Sequence, residues 1–256
     1  LRAIDRPGRA GGASITRRRH HIHRLVLWNI DLTLVDVARV SRDAYAEAFR
    51  RVTGRRLVAL PQLAGSSDSE IFFESLALNV ASPPSGPPED SDLLARYAAA
   101  LAAAFDARGE QLAAQGRPLT GAREALAAAS RLPDVIQTVI TGTIRPNAAH
   151  KLQAFDLDRY LDLAIGGYGS DVYPKGTQIV RSLAMAAEKY GVEISPARSV
   201  YVADSVRDAA AARVAGVRCL GVATGRSTIS ELREAGAEPV LADLADTSRV
   251  VAAINQ

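Results

Sequence analysis

Residues 25–34 read Leu25-Val26-Leu27-Trp28-Asn29-Ile30-Asp31-Leu32-Thr33-Leu34. An apolar run rich in β-formers, from Arg24 to Ile30, gives way to a polar cluster spanning Asn29 to Asp36. That is the pattern of a buried strand emptying into a loop. Side chains alternate along extended chain, so residues 29 and 31 point the same way and bring two polar groups into one cleft.

Downstream of this strand the texture is helical. From Ser41, apolar residues at Tyr45, Ala48, Phe49 and Val52 keep helical spacing as far as Gly54, a C-terminal stop. Asp68 to Asn79 repeats the pattern with Ile71, Phe72 and Leu76, and Leu93 to Leu112 repeats it with Leu94, Tyr97, Leu101 and Phe105. Ser82 to Ser91 between them is a Pro/Gly/acidic connector. From Thr120 onward helices and strands alternate. Helices are predicted over Gly121 to Ser130, Pro146 to Phe155, Thr177 to Tyr190 and Arg207 to Val214, and near Ser227 and Ala242. Strands are predicted over Val135 to Thr141, Leu161 to Gly166, Ser199 to Ala203 and Val217 to Val222. This alternation predicts a parallel sheet with helices on both faces. Because the first strand precedes the helical block, the block is inserted into the α/β domain. The predicted fold is α/β, a doubly wound parallel sheet over residues 24–38 and 116–256, with an all-helical domain inserted at 39–115 and a basic tail at 1–23.

Composition narrows the function classes. At 48% apolar over 256 residues the chain can bury one sizeable core, which excludes a disordered or fibrous reading. Its longest apolar stretches fall well short of the roughly 20 residues that cross a bilayer. Residues 1–24 hold seven arginines and one acid, so the net charge of +3 leaves −3 for the rest. A slightly acidic body carries no electrostatic footprint for nucleic acid. The Arg17-Arg18-Arg19-His20-His21 cluster reads as a solvated tail rather than a binding arm, the N-terminus does not look like a secretory signal, and the single Cys219 reads as a buried thiol. The expected compartment is the reducing cytoplasm.

In open α/β sheets ligands gather at the carboxyl ends of the strands. Four loops there carry suitable groups: Asn29 to Thr33; Thr141-Gly142-Thr143; Lys175 ahead of a helix; and Asp204-Ser205-Val206-Arg207-Asp208. Taken singly they are ordinary. A strand-end threonine caps or turns, a lone pre-helical lysine is solvated, and Asp204 and Asp208 suit a helix N-terminus. Their order along the chain is more specific.

The stretch from Leu25 to Leu34 resembles the first motif of the haloacid dehalogenase superfamily, an apolar strand followed by Asp-x-Asp-Gly-Thr. Val139-Ile140-Thr141-Gly142 is similar to the second motif, Lys175 to the third, and Ala203-Asp204 with Asp208 to the fourth. Gly221 to Gly225, with Glu231-Leu232 and Gly236-Ala237, resembles the end of phosphoglycolate-phosphatase-like members. The likeness runs from Arg24 to Asp243, and the helical block matches the family's cap domain in position. It implies a Mg²⁺-dependent phosphomonoester hydrolase acting through an aspartyl-phosphate on a small phosphorylated metabolite. It also implies roles. Position 29 attacks phosphorus and helps hold Mg²⁺. Asp31 protonates the leaving oxygen and then activates water, while its backbone carbonyl faces the metal. Thr141 and the Gly142 amide bind phosphate, Lys175 offsets charge, Asp204 ligates Mg²⁺ and Asp208 supports the metal shell. Ser67 and Asp68, in the loop Gly65-Ser66-Ser67-Asp68, stand where relatives place substrate-reading groups, and equally where a helix N-cap belongs.

The sequence departs from the pattern at Asn29, which is isosteric with aspartate but a poor nucleophile. Either this is a nucleophile-inactivated phosphatase, or a pseudo-enzyme that binds a phosphorylated ligand without turnover. The intact remainder of the motif set favours the first. Leu32 stands in place of the motif glycine, and Ala203 where glycine is common. Asp31 argues against dehalogenase chemistry. With lysines only at Lys151, Lys175 and Lys189, the 40–115 block offers no Schiff-base lysine for phosphonate cleavage. A phosphosugar mutase, which shares the core motifs, stays open, as do the substrate and the oligomeric state.

Overall fold

The computed structural model of the protein describes residues 22–63, 65–79, 92–170 and 174–256. It is built around a first strand, β1 (Ile22–Trp28). Most of the basic tail and the Ser82 to Ser91 connector lie outside the described residues. After β1 come the short β2 (Val35–Asp36) and four helices, α1 (Ala38–Thr53), α2 (Asp68–Asn79), α3 (Leu93–Asp106) and α4 (Gly109–Gln115). The chain then returns through β3 (Arg117–Pro118), α5 (Ala122–Ala129), β4 (Val135–Val139) and α6 (Arg145–Gln153). It continues with α7 (Lys175–Tyr190), β5 (Glu193–Ile194), β6 (Val200–Ala203), α8 (Val206–Val214) and β7 (Arg218–Val222), and closes with α9 (Ile229–Glu234), β8 (Val240–Leu241) and α10 (Thr247–Asn255).

The main sheet is parallel, in the order β4-β1-β6-β7-β8, with β5 also pairing with β1. Its pleat sorts the core. Val26 and Trp28 pack with α5, α6 and α10, whereas Leu25 and Leu27 pack with α7 and α8 on the opposite face. Both faces are thus covered, which is why these strands read as continuous apolar runs. Trp28 is fully buried and donates its indole N–H to Gln137 Oε1 at 3.0 Å. The chain runs from β1 to β4 on one side and then to β6 on the other, so the order reverses at β1. A crevice opens beyond its carboxyl end, where Asn29 and Asp31 stand.

The inserted helices join this core through two short strands. β2 and β3 pair antiparallel, with Val35 opposite Pro118 and Asp36 opposite Arg117, and an Arg117–Asp36 ion pair at 3.0 Å ties the crossing. Pairing both connections makes the cap a unit hinged on one ribbon. α1 and α3 form its body, with Tyr97 stacked on Phe72 at 4.1 Å between ring centroids.

Four predicted elements differ. Leu161 to Gly166 is not a strand. Following a 3₁₀ turn at Asp158–Tyr160, it forms a second one, Leu163–Ile165, because the Asp162 side chain accepts from the Ala164 amide and bends the chain. The Ile140–Gly167 bridge continues the sheet edge there. The helix over Leu93 to Leu112 breaks at Ala107 and Arg108, where the guanidinium reaches the Ala104 carbonyl and Glu47. The last helix begins at Thr247 rather than near Ala242, since Asp246 caps it by accepting from the Arg249 amide. α1 starts at Ala38 instead of Ser41.

Candidate active site

The end of β1 is held against β6 by the backbone N–H of Asn29, which donates to the Val202 carbonyl at 2.9 Å. Next the chain turns back, with Leu32, Leu34 and Val35 bonded into a tight loop. Leu32 adopts φ 58°, a left-handed conformation that favours glycine, and its carbonyl accepts from the Thr224 hydroxyl at 2.6 Å. The cost of leucine in place of the motif glycine is therefore one of backbone conformation.

Asn29 is buried, and its Nδ2 donates to Asp204 Oδ1 at 2.9 Å and to the Asp31 backbone carbonyl at 3.1 Å. Thr33 donates its hydroxyl to the same Asp204 oxygen at 2.9 Å. Three oxygen-bearing groups therefore converge beside residue 29. Burial is the main reason the Asp204 carboxyl is pushed up to about 6, with the nearby Asp208 charge adding to it. Gly225 lies so close that a Cβ there would sit 1.9 Å from Asp204 Oδ2. That wall tolerates no side chain.

Asp208 is fully buried in the first turn of α8, and both its oxygens are engaged. Lys175 Nζ and the Tyr201 hydroxyl reach Oδ1 at 2.7 and 3.0 Å, and the Ser205 hydroxyl reaches Oδ2 at 2.6 Å. Asp208 thus stands behind the cleft wall, anchoring Lys175, which does line the cleft. Thr141 follows β4. Its hydroxyl accepts from the Thr143 amide at 3.1 Å, and the Gly142 carbonyl accepts from the Asp68 amide at 2.8 Å. A Cβ on Gly142 would lie 2.2 Å from the Ser66 carbonyl, so the loop from the cap could not seat on it.

Asp31 is clamped. Lys151 Nζ donates to its two oxygens at 2.9 and 2.7 Å, and the Thr143 hydroxyl donates to Oδ2 at 3.0 Å. Lys151 passes unnoticed in the sequence as a lysine on a polar-looking helix. Its signal is register, since it falls between Ala148 and Leu152 on the buried face of α6.

The cap residues take different parts. Ser67 forms a capping box with Glu70, its hydroxyl accepting from the Glu70 amide while Glu70 Oε2 accepts from the Ser67 amide. Asp68 lines the cleft but accepts from the Tyr45 hydroxyl at 2.6 Å and the Ile144 amide at 2.8 Å, so its carboxylate clasps cap to core. Between core and cap lies a cleft of about 800 Å³, whose walls include Asn29, Asp31, Thr141, Gly142, Lys175 and Asp204. Arg42, Arg226 and the Leu57 to Leu63 segment add to its rim.

Among the described residues no group of three or more His, Cys, Asp or Glu gathers as a metal cluster. The donor set beside residue 29 is nevertheless all oxygen once the Asn29 amide is turned: its Oδ1, the Asp31 carbonyl and the Asp204 carboxylate. That set fits a hard cation, with one carboxylate where an aspartate at 29 would supply two.

The family model described as haloacid dehalogenase-like hydrolase matches residues 26–213, and a second, HAD-hydrolase-like, matches 180–247. A hydrolase from Pseudomonas syringae aligns with TM-score 0.63 and 20% identity, covering 91% of this chain and 100% of that one. A predicted phosphoglycolate phosphatase from Haemophilus somnus gives 0.61 and 19%, covering 90% and 98%. CbbY from Rhodobacter sphaeroides, solved in complex with phosphate, gives 0.59 and 20%, covering 88% and 96%. No curated protein matches the chain.

Proposed function

The chain belongs to the haloacid dehalogenase-like hydrolases, and from that premise we propose that its cleft is a Mg²⁺-dependent phosphomonoester-hydrolase site arrested at its first step by Asn29. The observation that carries this reading is the placement of the Asn29 amide between Asp204 Oδ1 and the Asp31 carbonyl, with Thr141, Lys175 and the Asp31 side chain in the same cleft.

Asp204, the Asp31 carbonyl and the residue 29 side chain would hold Mg²⁺, which supplies neutralisation of phosphoryl-oxygen charge. The Thr141 hydroxyl, the Gly142 amide and the Lys175 ammonium bind the remaining oxygens. With a carboxylate at position 29, an oxygen of that group attacks phosphorus. The bond from phosphorus to the leaving oxygen breaks as Asp31 gives that oxygen its proton. In the second step water loses a proton to Asp31, its oxygen attacks phosphorus, and the carboxyl–phosphorus bond breaks to release phosphate. An amide has no such nucleophilic oxygen, so the chain with Asn29 binds a phosphomonoester and does not turn it over. The substrate is a small phosphorylated metabolite. Asn29 equally suits a protein that only binds such a ligand, and turnover by the restored aspartate separates the two readings.

The test is Asn29→Asp assayed for phosphate release from a panel of phosphomonoesters, with and without Mg²⁺. Release only from the variant, and only with Mg²⁺, is the expected result. Silence from a folded, Mg²⁺-binding variant over the whole panel leaves the binding-protein reading in its place. Return of the phosphoryl group to a sugar, instead of its release, identifies a mutase.

A further inference from the structure

We propose that Lys151 is the residue that positions the Asp31 carboxylate for proton transfer, and that it does so under cover of the cap. The inference rests on the reading of Asp31 as the acid and base of the site.

Lys151 has 1% of its side chain exposed, whereas the Asp31 side chain is 39% exposed. The pair is lopsided: an ammonium sealed in the protein holds a carboxylate that reaches the cleft. Lys151 Nζ donates to both Asp31 oxygens and also lies 3.0 Å from the Thr143 hydroxyl, which itself donates to Asp31 Oδ2. Three bonds thus fix the carboxylate, whose rotation would otherwise be free at a strand end. On its other side Lys151 is roofed by the cap, with Nζ 5.3 Å from the centre of the Phe105 ring on α3. The field of Lys151 also reaches the buried Asp68 clasp.

Stability does not account for such a lysine. Sealing an ammonium from water costs several kcal/mol, and replacing a buried ion pair with apolar side chains is often neutral or favourable. Asp31, being partly exposed, could rehydrate if released. A clamp that costs stability but holds an acid to within a fraction of an ångström is the arrangement proton transfer requires, since small misplacements lower rates steeply. Lys151 does not line the cleft, so its action on substrate passes through Asp31.

Lys151→Met keeps the length of the side chain and removes the ammonium. In the Asn29→Asp protein it is expected to lower kcat on an alkyl phosphate roughly a hundredfold. KM should stay unchanged, and the pre-steady-state burst of p-nitrophenolate from p-nitrophenyl phosphate, whose leaving group needs no proton in the first step, should keep nearly the parent rate. A burst on p-nitrophenyl phosphate slowed as much as turnover of the alkyl phosphate, or a loss confined to KM, overturns the proposal. A crystal structure of Lys151→Met in the chain with Asn29 reads the positioning without turnover. The Asp31 carboxylate should have swung away from the Thr143 hydroxyl toward solvent, and a carboxylate still bonded to Thr143 in its present orientation overturns the proposal. If Asn29→Asp hydrolyses nothing, the proposed reaction fails, while this structural comparison still decides the role of Lys151. Should Lys151→Met not fold, Lys151→Gln is read by the same two measurements, with smaller losses expected because one donor remains.

Discussion

Asp31 has Lys151 and Asp208 has Lys175, but among the described residues Asp204 has no cation at ion-pair distance. Its compensation comes from the Asn29 amide and the Thr33 hydroxyl. With its carboxyl raised from the ordinary 3.8 to about 6, the folded protein binds the proton more tightly than the unfolded chain. The Asp204 contribution to stability is therefore greatest at low pH and is lost as pH rises from about 4 to about 6. Over that span the loss is about 3 kcal/mol, an upper bound for a group that can still gain a cation. Asp204→Asn should flatten this part of the metal-free stability profile and raise stability at neutral pH, while abolishing stabilisation by Mg²⁺. Urea denaturation at a series of pH values, with and without Mg²⁺, measures both, and an unchanged profile would refute the assignment of Asp204 as the buried carboxyl that lacks a cation.

At the level of elements, the end of α10 depends on two arginines from the opposite edge of the strands. Arg24 Nη1 donates to the Ile254 carbonyl at 2.8 Å, and Arg218 Nη1 to the Ala253 carbonyl at 2.8 Å. These are the carbonyls a helix leaves unpaired at its C-terminus, where positive charge is favoured. Burial lowers the pKa of both guanidinium groups, and repulsion adds to it, from Arg198 at Arg24 and from Arg24 at Arg218. Arg218→Met should remove two helix-end bonds and about 1–2 kcal/mol of stability. The loss should appear in amide exchange as early opening of α10 with the site untouched, and exchange confined to the cleft would contradict it. The same logic explains α9, which is too short to stand on propensity and is closed at its start by a Thr228–Glu231 capping box.

Across the whole molecule, the cap is joined to the core by the β2–β3 ribbon and by the Asp68 clasp. Asp68 bonds Gly142 and Ile144 of the core and Tyr45 of the cap; Arg207 of the core adds a bond to the Ser66 hydroxyl at 3.0 Å. Asp68→Ala would leave a buried tyrosine hydroxyl and the Ile144 amide without their partner, at a cost of about 2 kcal/mol or more. The ribbon would survive, so the expected outcome is an opened cap rather than an unfolded one. Small-angle scattering should then show a larger radius of gyration with the core melting transition retained. No change in radius would show that the clasp does not govern closure.

The sequence by itself determined the alternation of buried strands and amphipathic helices, the insertion of a helical block after the first strand, and the positions of Asn29, Asp31, Thr141 and Asp204 at strand ends and of Lys175 at a helix start. Those features are local. They follow from side-chain period, from turn residues and from the rule that ligands gather where parallel strands end. The tertiary structure decided which groups face one another. That Asp208 serves Lys175, that Ser67 caps a helix, that Asp68 joins two domains and that Lys151 grips Asp31 across 120 residues depends on packing between distant segments. A charged side chain on a helix reads as solvated until its face is known. The Leu161 to Gly166 segment went the same way, since its apolar run suited a strand until the Asp162 side chain bent it. Local physics chose the elements, and only burial against partners far along the chain assigned each polar group its work.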